Sequence, residues 1–262
     1  MTEIKTQRVE TKTLADGAIV VLELGPAPAN IVDRPMMAEL TTALESAAAD
    51  YQVKLVVLTG AGEHFSYGAS VEEHTPDQVG MMLPEFHNFL RTLNDLDLPP
   101  VMAAVRGRCF GGGFEVALGC DLIAVGTDAL MGCPEIKLGV FPPAGSALLP
   151  LRVPAGRSSA MLVSGAMISS QEASGLGIAD LELPGENLLD AVKSWAEHSL
   201  LEMSGVSLRQ ARRAARWPWT HALNNVLPQL EEQYLTSLMK TEDSAEGIQA
   251  FLDKRPPNWK NA

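Results

Sequence analysis

The sequence has 262 residues, 46% hydrophobic and 20% charged. That is the composition of a compact soluble protein, with one large domain or one domain and a small appendage, and it excludes disordered, collagen-like and coiled-coil chains. With 20 Lys and Arg against 32 Asp and Glu the net charge is −12, which argues against nucleic acid or an anionic membrane as the main partner.

The first twelve residues, MTEIKTQRVETK, have no apolar run after their charges, so no secretory leader is expected. No stretch approaches 18 uncharged apolar residues, so no membrane span is expected either. A cytoplasmic location follows as the expectation. Cys109, Cys120 and Cys133 form no CxxC pair and read as reduced core residues. The five histidines form no HExxH-type pair, so no metal site is expected.

In chain order, residues 18–24 (AIVVLEL) are a short β-branched run between Asp16-Gly17 and Gly25-Pro26, which predicts a buried strand. Residues 36–49 carry apolar side chains at helical spacing. Residues 53–59 (VKLVVLT) predict a second strand, residues 79–96 a second amphipathic helix stopped by Pro99-Pro100, and residues 101–105 and 121–125 two further strands. The alternation predicts an α/β core.

After about Gly156 the pattern turns helical, over 158–163, 171–174 and 186–200, and again from 208 onward with breaks at Pro218 and Pro228. No further strand is predicted. The chain divides into a core over 1–200 and a helical region over 201–262, read as a lid or an oligomerisation arm. Val226, Leu227, Leu230, Leu235, Leu238 and Met239 are more apolar surface than a lone subunit should expose, so a trimer or a dimer of trimers is expected. Arg209, Arg212, Arg213 and Arg216 share one helical stripe, read as a solvated or intersubunit face.

The chemistry concentrates in RGRCFGGGFEVALGCD, residues 106–121, where a strand runs through three glycines into a helix. Glycines let backbone approach a ligand closely, and a helix start offers free N–H groups and a positive dipole end, so an anion or a developing oxyanion fits there. No Lys-Ser or Lys-Thr follows, so this is not a Walker A loop. A second post-strand glycine loop is HFSYGAS, residues 64–70. Glu115, one turn into the helix, and Glu135, in an extended GCPEI stretch, sit among apolar neighbours. Such acids are either poised for proton transfer or held in salt bridges, and two of them beside an oxyanion site make an acid–base pair.

Taken together, FSYGAS, RGRCFGGGFEVALGCD, GCPEIKLGVFPPAG, LVSG (162–165), SQEA (170–173) and the terminal FLDKR (251–255) resemble the crotonase (enoyl-CoA hydratase/isomerase) superfamily over nearly the whole chain. The resemblance implies an α/β crotonase fold, a spiral of ββα units with a helical C-terminal trimerisation region. It implies a CoA-thioester hydratase, a hydro-lyase needing no cofactor, since coenzyme A is part of the substrate. It assigns the oxyanion hole to the backbone N–H groups of Ala69 and Gly112 and catalysis to Glu115 and Glu135. It places Tyr67, Gly68, Gly111, Phe141, Pro143, Glu73 and His74 around the acyl pocket, and Lys254 and Arg255 at the CoA.

Two departures bear on substrate. Tyr67-Gly68-Ala69-Ser70 stands where fatty-acid hydratases usually have Ala-Gly-Ala-Asp, and Pro142-Pro143-Ala144-Gly145-Ser146 where they have Pro-Gly-Ala-Gly-Gly. With FSYGASVEEH (65–74) and GVFPPA (139–144), the chain is similar to hydratases of cyclohexa-1,5-diene-1-carbonyl-CoA. A general enoyl-CoA hydratase, or a crotonase-fold binding protein for RNA or a CoA ester without hydratase activity, are the alternatives.

Overall fold

The computed structural model describes residues 7–95 and 97–262. Residues 1–6, the first half of the stretch read as free of a leader, lie outside them, as does Leu96 at the end of the predicted helix 79–96.

Among the described residues the strands are β1 (Val9–Leu14), β2 (Ile19–Leu24), β3 (Leu55–Gly60), β4 (Val101–Val105), β5 (Arg108–Phe110), β6 (Leu122–Gly126), β7 (Leu130–Gly132), β8 (Ile168–Ser169) and β9 (Leu181–Leu183). The helices are α1 (Arg34–Ala49), α2 (Val79–Asp95), α3 (Gly112–Gly119), α4 (Pro143–Leu148), α5 (Ala155–Ser164), α6 (Ser170–Leu176), α7 (Leu188–Ser199), α8 (Gly205–Ala215), α9 (Trp217–His221), α10 (Leu227–Thr236) and α11 (Glu242–Leu252). The larger sheet runs β1-β2-β3-β4-β6-β9, parallel apart from the β1–β2 pair. A small sheet, β5-β7-β8, stands beside it.

The four strands read from apolar runs are the centre of the large sheet, and both of its faces are covered. Val20, Leu22, Val56, Leu58, Ala103 and Val105 join the core built with α1, α2 and α3. The alternate residues Ile19, Val21, Leu55, Val57, Met102 and Ala104 pack on Leu188, Val192 and Ala196 of α7. Burial on two faces makes these strands continuously apolar rather than alternating. The expectation of no strand after Gly156 is overturned by β8 and β9, which are two and three residues long, too short to carry a periodicity. β1 was also missed, because it is an edge strand whose middle four residues are exposed.

Local signals set the helix starts. Asp33 caps α1, its Oδ1 accepting from the Met36 N–H at 3.0 Å, a contact worth about 1 kcal/mol. Ser169 and Glu172 form a reciprocal capping box on α6. Pro218 and Pro228, expected as breaks, sit in the first turns of α9 and α10, where a missing N–H costs nothing.

The arginine stripe of α8 is not a solvated or intersubunit face. Arg209, Arg212 and Arg216 are buried within the chain, and only Arg213 is exposed. Each buried guanidinium reaches the C-terminus of a different helix. Arg209 donates to the carbonyls of Ala48 at 3.3 Å and Asp50 at 2.7 Å behind α1, and to that of Asp97. Arg212 donates to Leu93 O of α2 at 2.8 Å and to Asp121 Oδ2 at 2.6 Å. Arg216 donates to Gly119 O of α3 at 2.6 Å, to Cys120 O at 3.1 Å and to Asn94 Oδ1 at 3.0 Å. A helix C-terminus offers unpaired carbonyls and a negative dipole end; these replace the water that burial removes. Burial still holds the Arg216 pKa down to about 10.

The tail residues behave similarly. Leu227 is buried, Leu230, Leu235, Leu238 and Met239 pack against the chain's own core, and only Val226 of the six is exposed. The surplus expected there is internal packing.

Arg216→Met leaves the Gly119 and Cys120 carbonyls without their cation and should lower unfolding free energy by about 3–5 kcal/mol in urea titrations. Arg213→Ala, on the exposed side of the same helix, should stay within about 0.5 kcal/mol of the parent.

Candidate active site

The loop after β3 and the turn from β5 into α3 are stitched together. Ser66 N donates to Arg108 O at 3.1 Å and Phe110 N returns a bond to Ser66 O at 3.0 Å. From behind, the buried Asn30 amide donates to Ala61 O at 2.9 Å and His64 O at 2.8 Å. Tyr67 N donates to Ala29 O at 2.8 Å, and Val32 N to Gly68 O at 3.0 Å. The loop is therefore rigid where backbone groups must be aimed.

The three glycines answer three separate approaches. A Cβ on Gly112 would lie 2.9 Å from Ala69 N, and one on Gly111 2.8 Å from Glu135 Oε1. Gly111 also has φ +51°, which disfavours any side chain. A Cβ on Gly113 would strike Ser66. Ala69 and Gly112, the pair the resemblance assigns to the oxyanion hole, are thus in backbone contact. Gly112 opens α3, so its N–H has no acceptor within the helix.

Glu115 is buried in α3, whose eight residues are all buried. Its Oε1 accepts from Gly145 N at 2.6 Å, and the Ala144 N–H also bonds the carboxyl. Both N–H groups come from the first turn of α4, which Pro143 begins. Burial pushes the Glu115 pKa up to about 7 against these two bonds. Glu135 opens a 3₁₀ turn, Glu135–Leu138, not the extended stretch expected. Its Oε2 is cut off from solvent without a hydrogen-bond partner. Burial, reinforced by the nearby Glu115 charge, raises its pKa well above the carboxylate range.

Both carboxyls face one cavity of about 660 Å³. Tyr67, Gly68, Ala69, Gly111 and Gly112 line it, and so do Phe141, Pro143 and Tyr234. The Phe141 and Tyr234 rings meet edge to face with centroids 5.4 Å apart. Tyr67 is fixed by Arg108 Nη1, which donates to its hydroxyl at 2.7 Å, and by Phe110 edge-on at 5.9 Å. His74 lines the cavity too. Its Nδ1 lies 2.7 Å from Ser70 O. A carbonyl can only accept, so Nδ1 carries the hydrogen, and burial lowers the pKa and keeps the ring neutral. Arg255 reaches the mouth, paired with Glu246 at 2.6 and 2.9 Å.

Two expected residues lie elsewhere. Glu73 does not line the cavity. Its carboxyl turns toward Asp33, Arg34 and Glu85, with its pKa raised by burial first. The 3₁₀ turn Glu72–His74 sends consecutive side chains in different directions, so Glu72 and His74 line the cavity while Glu73 does not. Lys254 is exposed behind α11 and away from the cavity. Conversely, Asn30 and Tyr234 were not read from sequence. Asn30 follows Ala-Pro-Ala in a plain loop, and Tyr234 sits in a helix whose apolar residues read as packing.

The profile of the enoyl-CoA hydratase/isomerase family matches residues 15–262. The chain belongs to that family. Its enzyme class is that of the hydro-lyases. Among curated relatives, the cyclohexa-1,5-dienecarbonyl-CoA hydratase of Thauera aromatica is 41% identical over 247 residues, 94% of each chain. The 2,3-dehydroadipyl-CoA hydratase of Escherichia coli (strain K12) is 34% identical over 240 residues, 90% of this chain and 92% of the relative. Among solved structures, an enoyl-CoA hydratase from Mycobacterium avium subsp. paratuberculosis K-10 superposes with a TM-score of 0.83 at 26% identity, covering 97% of this chain and 98% of that one. The architecture is accordingly the α/β crotonase fold of enoyl-CoA hydratases. Among the described residues of this family member, no helix is long and apolar enough to cross a membrane.

The Glu135 carboxyl holds its proton in the folded chain at pH values where the unfolded chain, near 4.5, has lost it. The folded state then binds more protons, so stability falls as pH rises above that value. Glu135→Gln should therefore raise Tm relative to the parent by more at pH 8 than at pH 5. Equal shifts at the two pH values in calorimetric melts would contradict the buried, protonated state.

Proposed function

We propose that this enzyme adds water to a cyclic dienoyl thioester, converting cyclohexa-1,5-diene-1-carbonyl-CoA to 6-hydroxycyclohex-1-ene-1-carbonyl-CoA in anaerobic aromatic degradation. The observation that carries the reading is the lining of the cavity that holds the two glutamates. Phe141, Pro143 and Tyr234 line the same cavity as Glu135 with flat and rigid groups, a lining that suits a planar ring better than an extended chain. The 41% identity with the Thauera aromatica hydratase supports the same substrate.

The chemistry follows from the proton inventory. The thioester carbonyl lies against the N–H groups of Ala69 and Gly112, where negative charge grows during addition. One such donor is worth about 10²–10³ in rate. Glu115 is the base, because the Gly145 and Ala144 N–H groups favour its ionised form. Glu135 is the acid, because its unpartnered oxygen favours the protonated form. Water gives a proton to Glu115 as its oxygen bonds the β-carbon. The π electrons shift through the ring, and Glu135 delivers its proton to the distal vinylogous carbon. The pair ends with one proton, now on the other carboxyl, and titrates as a unit. No electrons are transferred, so the step calls for no redox cofactor. Arg255 at the mouth is the group placed to meet a CoA phosphate.

The RNA-binding alternative has little to draw on, because Arg209, Arg212 and Arg216, three of the four arginines of the stripe, are occupied inside the fold. The three buried free cysteines are in keeping with a reducing cytoplasm. We also assign the helical region over 201–262 to subunit packing, now on different residues: Trp217 is 72% exposed and Val206 56%, unlike the tail leucines. Light scattering at micromolar concentration should give at least three chains of 28.0 kDa; a single-chain mass would refute the assignment.

For substrate, kcat/KM on the cyclic dienoyl-CoA should exceed that on crotonyl-CoA by more than about a hundredfold, since steric rejection exceeds the roughly 10–200-fold a missing methylene gives. In the same assay Glu115→Gln and Glu135→Gln should each cost about 10²–10⁴ in kcat. Comparable rates on both esters would overturn the cyclic substrate while leaving hydration intact.

A further inference from the structure

The mechanism above uses two carboxyls and two N–H groups, yet the cavity is also lined by a buried hydroxyl with no partner in the chain. Tyr234 is 1% exposed, and its hydroxyl is buried with no hydrogen-bond partner in the chain. It lines the same cavity as Glu115 and Glu135. Its position is not accidental slack in the tail. The ring is wedged edge-on against Phe141. One turn earlier on α10, Glu231 bonds the buried His87 of α2 at 2.5 Å, which anchors this helix to the body of the chain. A buried O–H that no group of the chain bonds costs free energy unless the cavity's occupant bonds it, and a phenylalanine would fill the same volume without that cost. The hydroxyl is therefore placed for something the cavity receives.

We propose that the Tyr234 hydroxyl holds the oxygen that hydration adds to the acyl group, first as water and then as the product hydroxyl. The proposal rests on the hydratase reading of this cavity. The thioester oxygen is already assigned to the N–H groups of Ala69 and Gly112. The attacking water gives one hydrogen to a carboxylate and one lone pair to carbon. Its second hydrogen and second lone pair remain, and a phenol can accept the first or donate to the other. In the product, the new hydroxyl accepts from the phenol. Tyr234 thus fixes where the oxygen stands and gives the pocket a preference for hydroxylated over saturated acyl groups. A site built to hydrogen-bond a hydroxyl discriminates strongly against the analogue without it.

The test is Tyr234→Phe, which removes one oxygen and keeps the ring. Calorimetric titration compares 6-hydroxycyclohex-1-ene-1-carbonyl-CoA with cyclohex-1-ene-1-carbonyl-CoA, and 3-hydroxybutanoyl-CoA with butanoyl-CoA. The parent should favour the hydroxylated member of a pair, and the variant should lose about five- to tenfold of that preference, with the deoxy ester bound as before. Tm should hold or rise, because the lost hydroxyl was unpaired. On any ester the parent hydrates, kcat should fall about tenfold or more with KM nearly constant, a split that a packing role would not produce. An unchanged preference in both pairs overturns the proposal whatever the rate does. If the preference falls but the parent hydrates neither enoyl ester, the hydratase reading fails and the role of Tyr234 in holding a hydroxyl stands.

Discussion

The backbone of Gly112 lies against the backbone of Ala69, and the rest of the site is arranged by that contact. It admits no side chain between the loop after β3 and the first turn of α3. It forces α3 into the centre of the chain, where all its residues are buried, and so Glu115 is carried into a dry environment one turn later. Burial there sets the carboxyl's proton affinity against two N–H bonds. The neighbouring Gly111, with its positive φ, brings Glu135 to the same place. Two buried acids, one with its proton affinity raised well above the carboxylate range and one poised near neutrality, follow from how closely two pieces of main chain approach.

Burying acids and arginines together raises an electrostatic problem that the fold solves with main-chain dipoles. The negative ends of α1, α2 and α3 are met by Arg209 and Arg212 of α8 and by Arg216 just after it. The positive end of α4 is turned the other way, toward Glu115. Few of these contacts are simple ion pairs, although Asp121 takes both Arg212 and Arg216, at 2.6 and 3.4 Å. A chain of net charge −12 can in this way hold its cations inside without relying on surface acids.

What the sequence made legible follows from what each signal encodes. The central strands were readable because both faces are buried, which leaves an uninterrupted apolar run. The glycine turn and the two glutamates among apolar neighbours stood out in the sequence but had structural readings as well, and it was the family resemblance that assigned Ala69 and Gly112 to the oxyanion hole. β8 and β9 were not, since a strand of two or three residues has no period. Glu73 was placed wrongly because adjacency in a short turn does not fix direction. The arginines were misread because a stripe of cations looks the same whether it faces water or carbonyls; the distinction lies in three helix ends far away in sequence. Tyr234 was invisible for a related reason. Its hydroxyl matters through the cavity it reaches, and only the fold shows that cavity.

The arginine contacts also impose an order in time. The carbonyls at the ends of α1, α2 and α3 belong to the first 120 residues, and the side chains that receive them belong to residues 209–216. On a ribosome adding roughly 5–20 residues per second, the gap between residue 120 and residue 216 is about 5–20 s. During that interval the carbonyls at those helix ends have no guanidinium to meet. The last quarter of the chain is thus what completes the core made by the first half, and the nascent protein reaches its working form only near the end of its own synthesis.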